Sequence, residues 1–157
     1  MNDKTAWLMG VLAIIIVASV VFTDGFGILG TPTVTGAGVN TEGVVSIPMS
    51  DISETARFYE YDYGGTTIRF FAVKASDGSV KTGFDACDVC YGSGKGYRQE
   101  GGYMVCNNCG NRYPINGLGT ENKNPGGCWP GYLPSLVEGD GLVVKKSDLA
   151  NGAWRFA

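Results

Sequence analysis

The cysteines carry the most specific chemistry that this sequence offers. Cys87 and Cys90 form one Cys-x-x-Cys pair, and Cys106 and Cys109 form a second pair after fifteen intervening residues. Each pair presents two thiols from one tight loop, and two such loops together supply four sulfur ligands. The spacing therefore predicts a metal site at Cys87, Cys90, Cys106 and Cys109.

The identity of the metal is only narrowed by the composition. The sequence contains no histidine, so the commonest nitrogen ligand for metals is missing. Four thiolates suit a single iron ion, an iron–sulfur cluster, zinc or copper(I). We expect an iron–sulfur cluster or thiolate-bound iron, with zinc or copper as the alternatives. Met104 is a candidate thioether ligand for copper(I), but packing in the core is its expected role.

Glycines after each pair indicate how the loops fold. Gly110 follows Cys109 directly, and Gly92 lies two residues after Cys90. A glycine past the second thiol accepts positive φ, which turns backbone N–H groups toward the sulfurs and stabilises thiolates. We therefore expect metal-binding knuckles. The competing hypothesis is oxidation within each pair, but such small disulfide rings are strained and contribute little stability.

Three further residues near the pairs are candidates for a structural or a functional role. Cys128, in a Gly-Gly-Cys-Trp-Pro segment, is either an apolar thiol packed under Trp129 or a fifth ligand or redox partner. Asp85 and Asp88 flank Cys87, and we expect them to be turn-capping or solvated groups. No nucleophile–base pair is evident, so an enzymatic activity is not predicted.

The elements that must position these cysteines are predicted to be mainly β, forming a small β-sheet or barrel-like domain with two cysteine-knuckle loops. Gly64-Gly65 separates two runs rich in aromatic and β-branched residues, which is typical of a tight hairpin. An Asp77-Gly78 turn precedes another strand. A final short turn and strand is expected from Leu149 to Phe156, and the only helix expected is near the N-terminus. The predicted strands are Val44–Ile47, Ala56–Tyr63, Thr66–Lys74, Val80–Phe84 and Leu142–Lys145.

The N-terminal region is predicted to be a membrane anchor. Ala6–Phe22 is apolar, and the uncharged residues between Lys4 and Asp24 come close to the roughly 30 Å of a bilayer core at about 1.5 Å per residue. A cleaved secretory signal is the alternative. The distribution of charge places the domain outside the cytoplasmic membrane. We expect residues 1–29 to form the anchor, 30–43 a flexible tether and 44–157 an extracytoplasmic metal-binding domain.

The charge of the chain excludes one class of partner. The formal net charge is -3 and the pI is near 4.8, without any block of Lys or Arg. A basic patch that would neutralise phosphates is therefore missing, and no nucleic-acid partner is expected.

The segments around the cysteines resemble a known family. They are Phe84–Cys90, Gly96–Glu100, Met104–Gly110, Pro114-Ile115, Gly126–Cys128 and Leu133-Pro134. These motifs are similar to those of the FtrD-like membrane iron–sulfur proteins, whose bacterial members are associated with iron permease systems. The resemblance spans about Phe70 to Leu149. It implies that Cys87, Cys90, Cys106, Cys109 and also Cys128 belong to the metal site, and it implies a membrane redox or iron-permease partner.

Together these features predict a single-pass cell-membrane protein with a metal–thiolate centre that acts in electron transfer or iron handling. A structural zinc domain for protein contacts and a copper(I) chaperone are the alternatives.

Overall fold

The computed structural model describes residues 34–35, 39–124 and 126–157, which belong to one compact unit, Pro32–Ala157. The predicted anchor at Ala6–Phe22 lies outside these residues. Among the helices of the described part, none is long and apolar enough to cross a membrane.

The domain is mainly β, as predicted, and its described strands form three small antiparallel sheets. The first sheet has the order β1 (Val34–Thr35), β4 (Arg57–Tyr63), β5 (Thr66–Lys74), β6 (Val80–Phe84). The second has the order β10 (Leu136–Glu138), β11 (Gly141–Lys145), β3 (Val44–Pro48), β2 (Val39–Thr41). The third has the order β7 (Tyr97–Glu100), β8 (Tyr103–Cys106), β9 (Arg112–Pro114). One α-helix, α1 (Lys146–Asn151), follows β11. Short 3-10 helices occupy Met49–Asp51, Tyr91–Ser93, Ile115–Gly117, Glu121–Lys123 and Ala153–Arg155.

The predicted hairpin is confirmed and connects β4 to β5. Tyr63 pairs with Thr66, which leaves Gly64 and Gly65 as the two turn residues. Their φ angles are 58° and 85°. A two-residue turn with positive φ at both positions matches the right-handed twist of the strands, and glycine adopts it without a steric penalty. The turn therefore fixes the register of the longest strand pair.

Strand β5 is buried on both faces and separates two hydrophobic cores. Ile68, Phe70 and Ala72 point into the first core, which β3, β4, β11 and α1 complete. Phe71 and Val73, on the opposite face, point into a second core that contains cysteines. Because side chains alternate along a strand, one run of apolar residues serves both cores.

The C-terminal prediction is wrong. Where a short turn and strand were expected from Leu149 to Phe156, the chain forms α1 and a 3-10 turn at Ala153–Arg155. Leu149 is fully buried in the first core, and Gly152 ends the helix with its N–H donated to Leu149 O at 2.9 Å. A side chain at position 152 would overlap the Phe84 ring, so close packing of this turn against β6 accounts for the structure.

The expected tether at 30–43 contains paired residues. Val34–Thr35 lies antiparallel to β4, and Val39–Thr41 lies antiparallel to β3. These residues are extended, and in addition they form edge strands of two sheets. The boundaries proposed for anchor, tether and domain stay predictions.

Candidate metal centre

The first cysteine knuckle begins three residues after β6 ends. The N–H of Cys90 points at Sγ of Cys87 at 2.9 Å, the geometry of a loop closed around a thiolate. A 3-10 turn follows and ends at Gly94, whose φ is 65°. The positive φ expected at Gly92 is therefore found two residues later. The loop is a knuckle with only a single helical turn after its second cysteine.

The second knuckle begins at the last residue of β8. Cys106 O accepts the N–H of Gly110 at 2.9 Å, and Gly110 has the predicted positive φ, 76°. Burial raises the pKa of the Cys106 thiol, while hydrogen bonds from the N–H groups of Cys109 and Asn108 oppose that rise. The pKa of Cys109 is lowered, chiefly by a hydrogen bond from the N–H of Asn111. Backbone donors therefore surround this pair as the glycine predicted.

Strand β7 brings the two knuckles together. Its first residue, Tyr97, pairs with Cys106, and the N–H of Asn107 donates to Gly96 O at 3.0 Å. The N–H of Tyr97 also donates to Oδ1 of Asp85 at 2.6 Å. Because Asp85 lies just before Cys87, this contact joins the start of the first knuckle to the end of β8.

Backbone hydrogen bonds place the loop that carries Cys128 beside the first knuckle. The N–H of Phe84 donates to Gly131 O, and the N–H of Gly131 donates to Ala86 O, both at 2.8 Å. These bonds set the segment after Cys128 alongside the segment before Cys87. Tyr97 Oη donates to Cys128 O at 2.5 Å and holds the loop from the opposite side.

The five cysteines thus converge from three loops, and all five are free thiols. Cys90 and Cys128 lie with their Sγ atoms 3.7 Å apart. Two sets of three sulfurs are each mutually within 4.8 Å and able to hold a metal ion. The first sulfur set is Cys87, Cys90 and Cys128, and the second sulfur set is Cys90, Cys106 and Cys109. The Cys128 thiol is therefore close to the pairs, and Trp129 packs instead on Tyr113 with ring centroids 4.8 Å apart.

The sulfur donors suit thiolate-bound iron. A tetrahedral ion with metal–sulfur bonds of about 2.3 Å holds its sulfur ligands about 3.8 Å apart, within the limits of both sulfur sets. Cys87 and Cys106 are buried, Cys90 and Cys128 are half-buried and Cys109 is exposed. Burial raises the pKa of Cys128 to about 12, so a bound cation must displace its proton. Met104 is fully buried in the second core, where its thioether packs among apolar side chains and cysteines.

The two aspartates are not solvated groups. Asp88 lies inside the first knuckle, and its Oδ2 accepts the N–H of Gly126 at 2.7 Å. Its Oδ1 accepts hydrogen bonds from Arg155, so one carboxylate connects three loops. Asp85 is buried beside Tyr97 and pairs with Arg69, with Nε and Oδ2 3.4 Å apart. Desolvation raises the pKa of Asp85, and the N–H of Tyr97 and the charge of Arg69 act against that rise.

Sequence reasoning missed the roles of Asp88, Arg155 and Tyr97. Arg155 lies 67 positions from Asp88, and no local pattern joins them. Tyr97 begins the strand that aligns both knuckles, and its hydroxyl holds the loop that carries Cys128. The one local signal was the glycine that precedes it. The structure gives the reason for that glycine, because Gly96 has a φ of 63° and a Cβ there would lie 2.4 Å from the Asp85 carboxylate.

A cavity of about 240 Å³ borders the sulfurs on one side. Cys87, Cys90 and Cys106 contribute to its wall, and Arg69 and Arg155 line it as well. Each guanidinium is paired with an aspartate, Asp85 and Asp88 respectively. The centre is therefore reachable from solvent through a polar opening whose charges are largely balanced.

This arrangement defines a class of protein: a small β domain in which cysteine knuckles bring together thiols that could hold a metal ion. The family model for FtrD-like proteins, described as "Membrane iron-sulfur containing protein FtrD-like", matches residues 52–156. The chain belongs to this family, as the resemblance of its motifs predicted. The family is one of membrane iron–sulfur proteins. Neither the curated proteins nor the solved structures contain a match to this chain.

Proposed function

We propose that this protein is a membrane-anchored iron–thiolate protein, with an iron–sulfur centre or thiolate-bound iron, that transfers electrons or handles iron outside the cytoplasmic membrane. The observation that carries the proposal is the convergence of five free cysteines on Cys90 from three separate loops. Packing alone does not require cysteine at these five positions, because small apolar side chains would fill the same space. A bound soft cation explains the arrangement.

The ligands would be Cys87, Cys90, Cys106 and Cys109, with Cys128 as an additional thiolate. Bound iron would supply one-electron chemistry at this position. The chain's own contribution is to hold the sulfurs and to stabilise them as thiolates. Backbone N–H groups directed at Cys87, Cys106 and Cys109 do so without adding charged side chains. Such hydrogen bonds also tune the reduction potential of iron–sulfur sites.

The position of the site in the domain supports exchange with a partner. Cys109 is exposed, whereas Cys87 and Cys106 are buried in the second core. Around the first knuckle, Val89 and Tyr91 are 62% and 39% exposed, and Tyr91 forms an edge contact with Trp154. The centre thus has one protected side and one side near the surface. A membrane redox protein or an iron permease is the class of partner that this arrangement suits.

The proposal is tested on the full chain, purified in detergent without oxygen. Iron, zinc, copper and acid-labile sulfide are quantified, and visible spectra are recorded before and after reduction. We expect stoichiometric iron and visible absorption that changes on reduction, both lost in Cys106→Ser. Met104→Leu is the matched control, because it removes a sulfur atom from the same core at nearly constant volume and should retain the iron.

The other outcomes decide between the remaining hypotheses. A colourless protein with stoichiometric zinc contradicts the redox role and indicates a structural zinc domain. Copper(I) that is readily released indicates a metal chaperone. A chain that binds no metal under any of these conditions overturns the proposed function.

A further inference from the structure

The two sulfur sets share one atom, Sγ of Cys90. We propose that the centre holds two soft metal ions at once, bridged by the Cys90 thiolate. The first ion lies among Cys87, Cys90 and Cys128, and the second lies among Cys90, Cys106 and Cys109. This inference rests on the proposed function, because it requires that the cysteines bind metal, and it adds the number of ions and the role of each sulfur.

The sulfur geometry is the first argument. Each set has its three sulfurs mutually within 4.8 Å, which one thiolate-bound ion can span with bonds of about 2.3 Å after small adjustments. Among the described residues, two sets of three sulfurs meet this limit, and no set of four sulfurs meets it. A thiolate has more than one lone pair and can therefore bind two cations. Cys90 is the sulfur in the position to do so.

The contacts of Cys128 support the same arrangement. Its Sγ lies 3.7 Å from that of Cys90, and it also interacts with the Cys109 thiol of the second set. The two sets therefore face each other across Cys90, with Cys109 and Cys128 as neighbours. Two ions bound in this way would lie close together, as ions bridged by a single thiolate do.

Charge gives an independent argument. Five thiolates carry five negative charges, and the two guanidinium groups that line the adjacent cavity are already paired with Asp85 and Asp88. One divalent ion would leave three negative charges uncompensated if all five cysteines were ionised and two if Cys128 kept its proton, whereas two ions would leave one. Because Cys87 and Cys106 are only 1% and 2% exposed, unbalanced charge at their sulfurs is costly. A second cation lowers that cost.

Each ion would have three cysteine ligands, and the cavity supplies room for a fourth ligand. Its volume of about 240 Å³ lies against Cys87 and Cys90 of the first set and Cys106 of the second. Water or a small anion can enter it from solvent. The protein therefore leaves an open coordination position on the same side as the polar opening.

The experiment uses cadmium as the probe, because it is a soft divalent ion with an NMR-active isotope, cadmium-113. The full chain is stripped of metal in detergent without oxygen, loaded with cadmium-113 and freed of excess ion. Native mass spectrometry then counts ions per chain, and NMR counts cadmium environments. We expect two ions per chain and two resonances, each split by coupling through the shared sulfur.

Single variants assign the sulfurs. Cys87→Ala and Cys109→Ala, which each remove one terminal ligand, should retain one ion and one unsplit resonance. Cys90→Ala should abolish the coupling and lower the count below two. Met104→Leu, the control, should keep both ions and the coupling. These readouts depend on the number and connection of ions and not on any activity.

The failures of the two proposals are distinguishable. One ion per chain with a single resonance overturns the two-ion site and leaves a metal–thiolate centre in place. Two resonances without coupling, unchanged in Cys90→Ala, overturn the bridging role of Cys90. A wild-type chain that binds no cadmium overturns this inference together with the proposed function.

Discussion

Oδ1 of Asp88 accepts hydrogen bonds from Nε and Nη2 of Arg155 at 2.9 and 2.7 Å. Both side chains are largely buried, with 16% and 12% of their surfaces exposed. The guanidinium thus binds the carboxylate through two nitrogen atoms, a strong and specific geometry. Since Oδ2 of the same carboxylate holds Gly126, the pair fixes the loop that carries Cys128 relative to the first knuckle.

Asp88→Asn is expected to destabilise the domain by about 2 kcal/mol, because hydrogen bonds to charged groups contribute more than neutral ones. It should also weaken metal binding, since the Cys128 loop loses its anchor. Chemical denaturation with and without metal measures both effects. Asp140→Asn is the control, because Asp140 is an exposed residue in the turn between β10 and β11. Equal effects of the two variants would contradict the anchoring role.

Gly110→Ala is expected to weaken the second knuckle through the backbone alone. The position has a φ of 76°, and an added Cβ would meet no atom within 4 Å. An L-residue in this conformation costs about 1 kcal/mol, so the folded loop is destabilised and metal affinity falls. Competition with a chelator of known affinity measures the loss.

Gly92→Ala is the matched control for that variant. Its surroundings are equally open, but its φ lies outside the left-handed region. It should therefore bind metal as the wild type does. If both glycine variants lost the same affinity, conformational strain at Gly110 would not be the reason.

The cysteines should react with iodoacetamide in the order of their exposure. In the metal-free protein Cys109 is expected to be modified first, since it is exposed, and the buried Cys87 and Cys106 last. Addition of metal should protect all of them together. Peptide mass spectrometry over a time course measures the order. Early modification of Cys87 would show that the first knuckle opens independently of the second.

Glu100 should make the stability of the third sheet depend on pH. A hydrogen bond from Arg98 is the main cause that lowers the pKa of Glu100, and the charges of Arg98 and Arg112 add to it. A lowered pKa in the folded state means that the stabilisation is present at neutral pH and is lost as the pH falls through that pKa.

The test compares unfolding of the wild type and Glu100→Gln from neutral to acidic pH. The variant should be less stable at neutral pH, and the difference should disappear in acid. Glu138→Gln, which changes an exposed carboxylate on β10, serves as the control. A difference that stayed constant across the titration would rule out the ion pairs as its source.

Local patterns in the sequence were enough to predict the strands that lead to the first knuckle, but they did not predict β7, β8 and β9, which position the second knuckle. The exact bounds of Thr66–Lys74 and Val80–Phe84 followed from turns with a defined mechanism at Gly64-Gly65 and Asp77-Gly78. The approach of Cys90 to Cys106 and Cys109 agrees with the spacing of the two Cys-x-x-Cys pairs. In both cases the interacting residues are separated by no more than about twenty positions in the sequence.

Interactions between distant residues were not predictable in this way. The contact of Asp88 with Arg155 and the ladder from Phe84 to Gly131 depend on how separate loops meet. The helix α1 had a usable signal, since Asn151-Gly152 is typical of a helix end, but the short apolar run after it resembled a strand. Tertiary packing against Phe84 decided the conformation.

Because β5 divides the interior into two cores, we expect the two parts of the domain to open at different free energies. The first core contains the larger set of apolar side chains, whereas the second counts Cys87 and Cys106 among its buried members. Removal of a cation from those sulfurs would therefore destabilise the second core and leave the first core unchanged. Amide hydrogens of β7 and β8 would then exchange with solvent early, while those of β3 and β11 would stay protected. If the cysteines hold a metal, its loss would thus open one half of the domain locally, and the other half would remain folded as the template on which the centre reassembles.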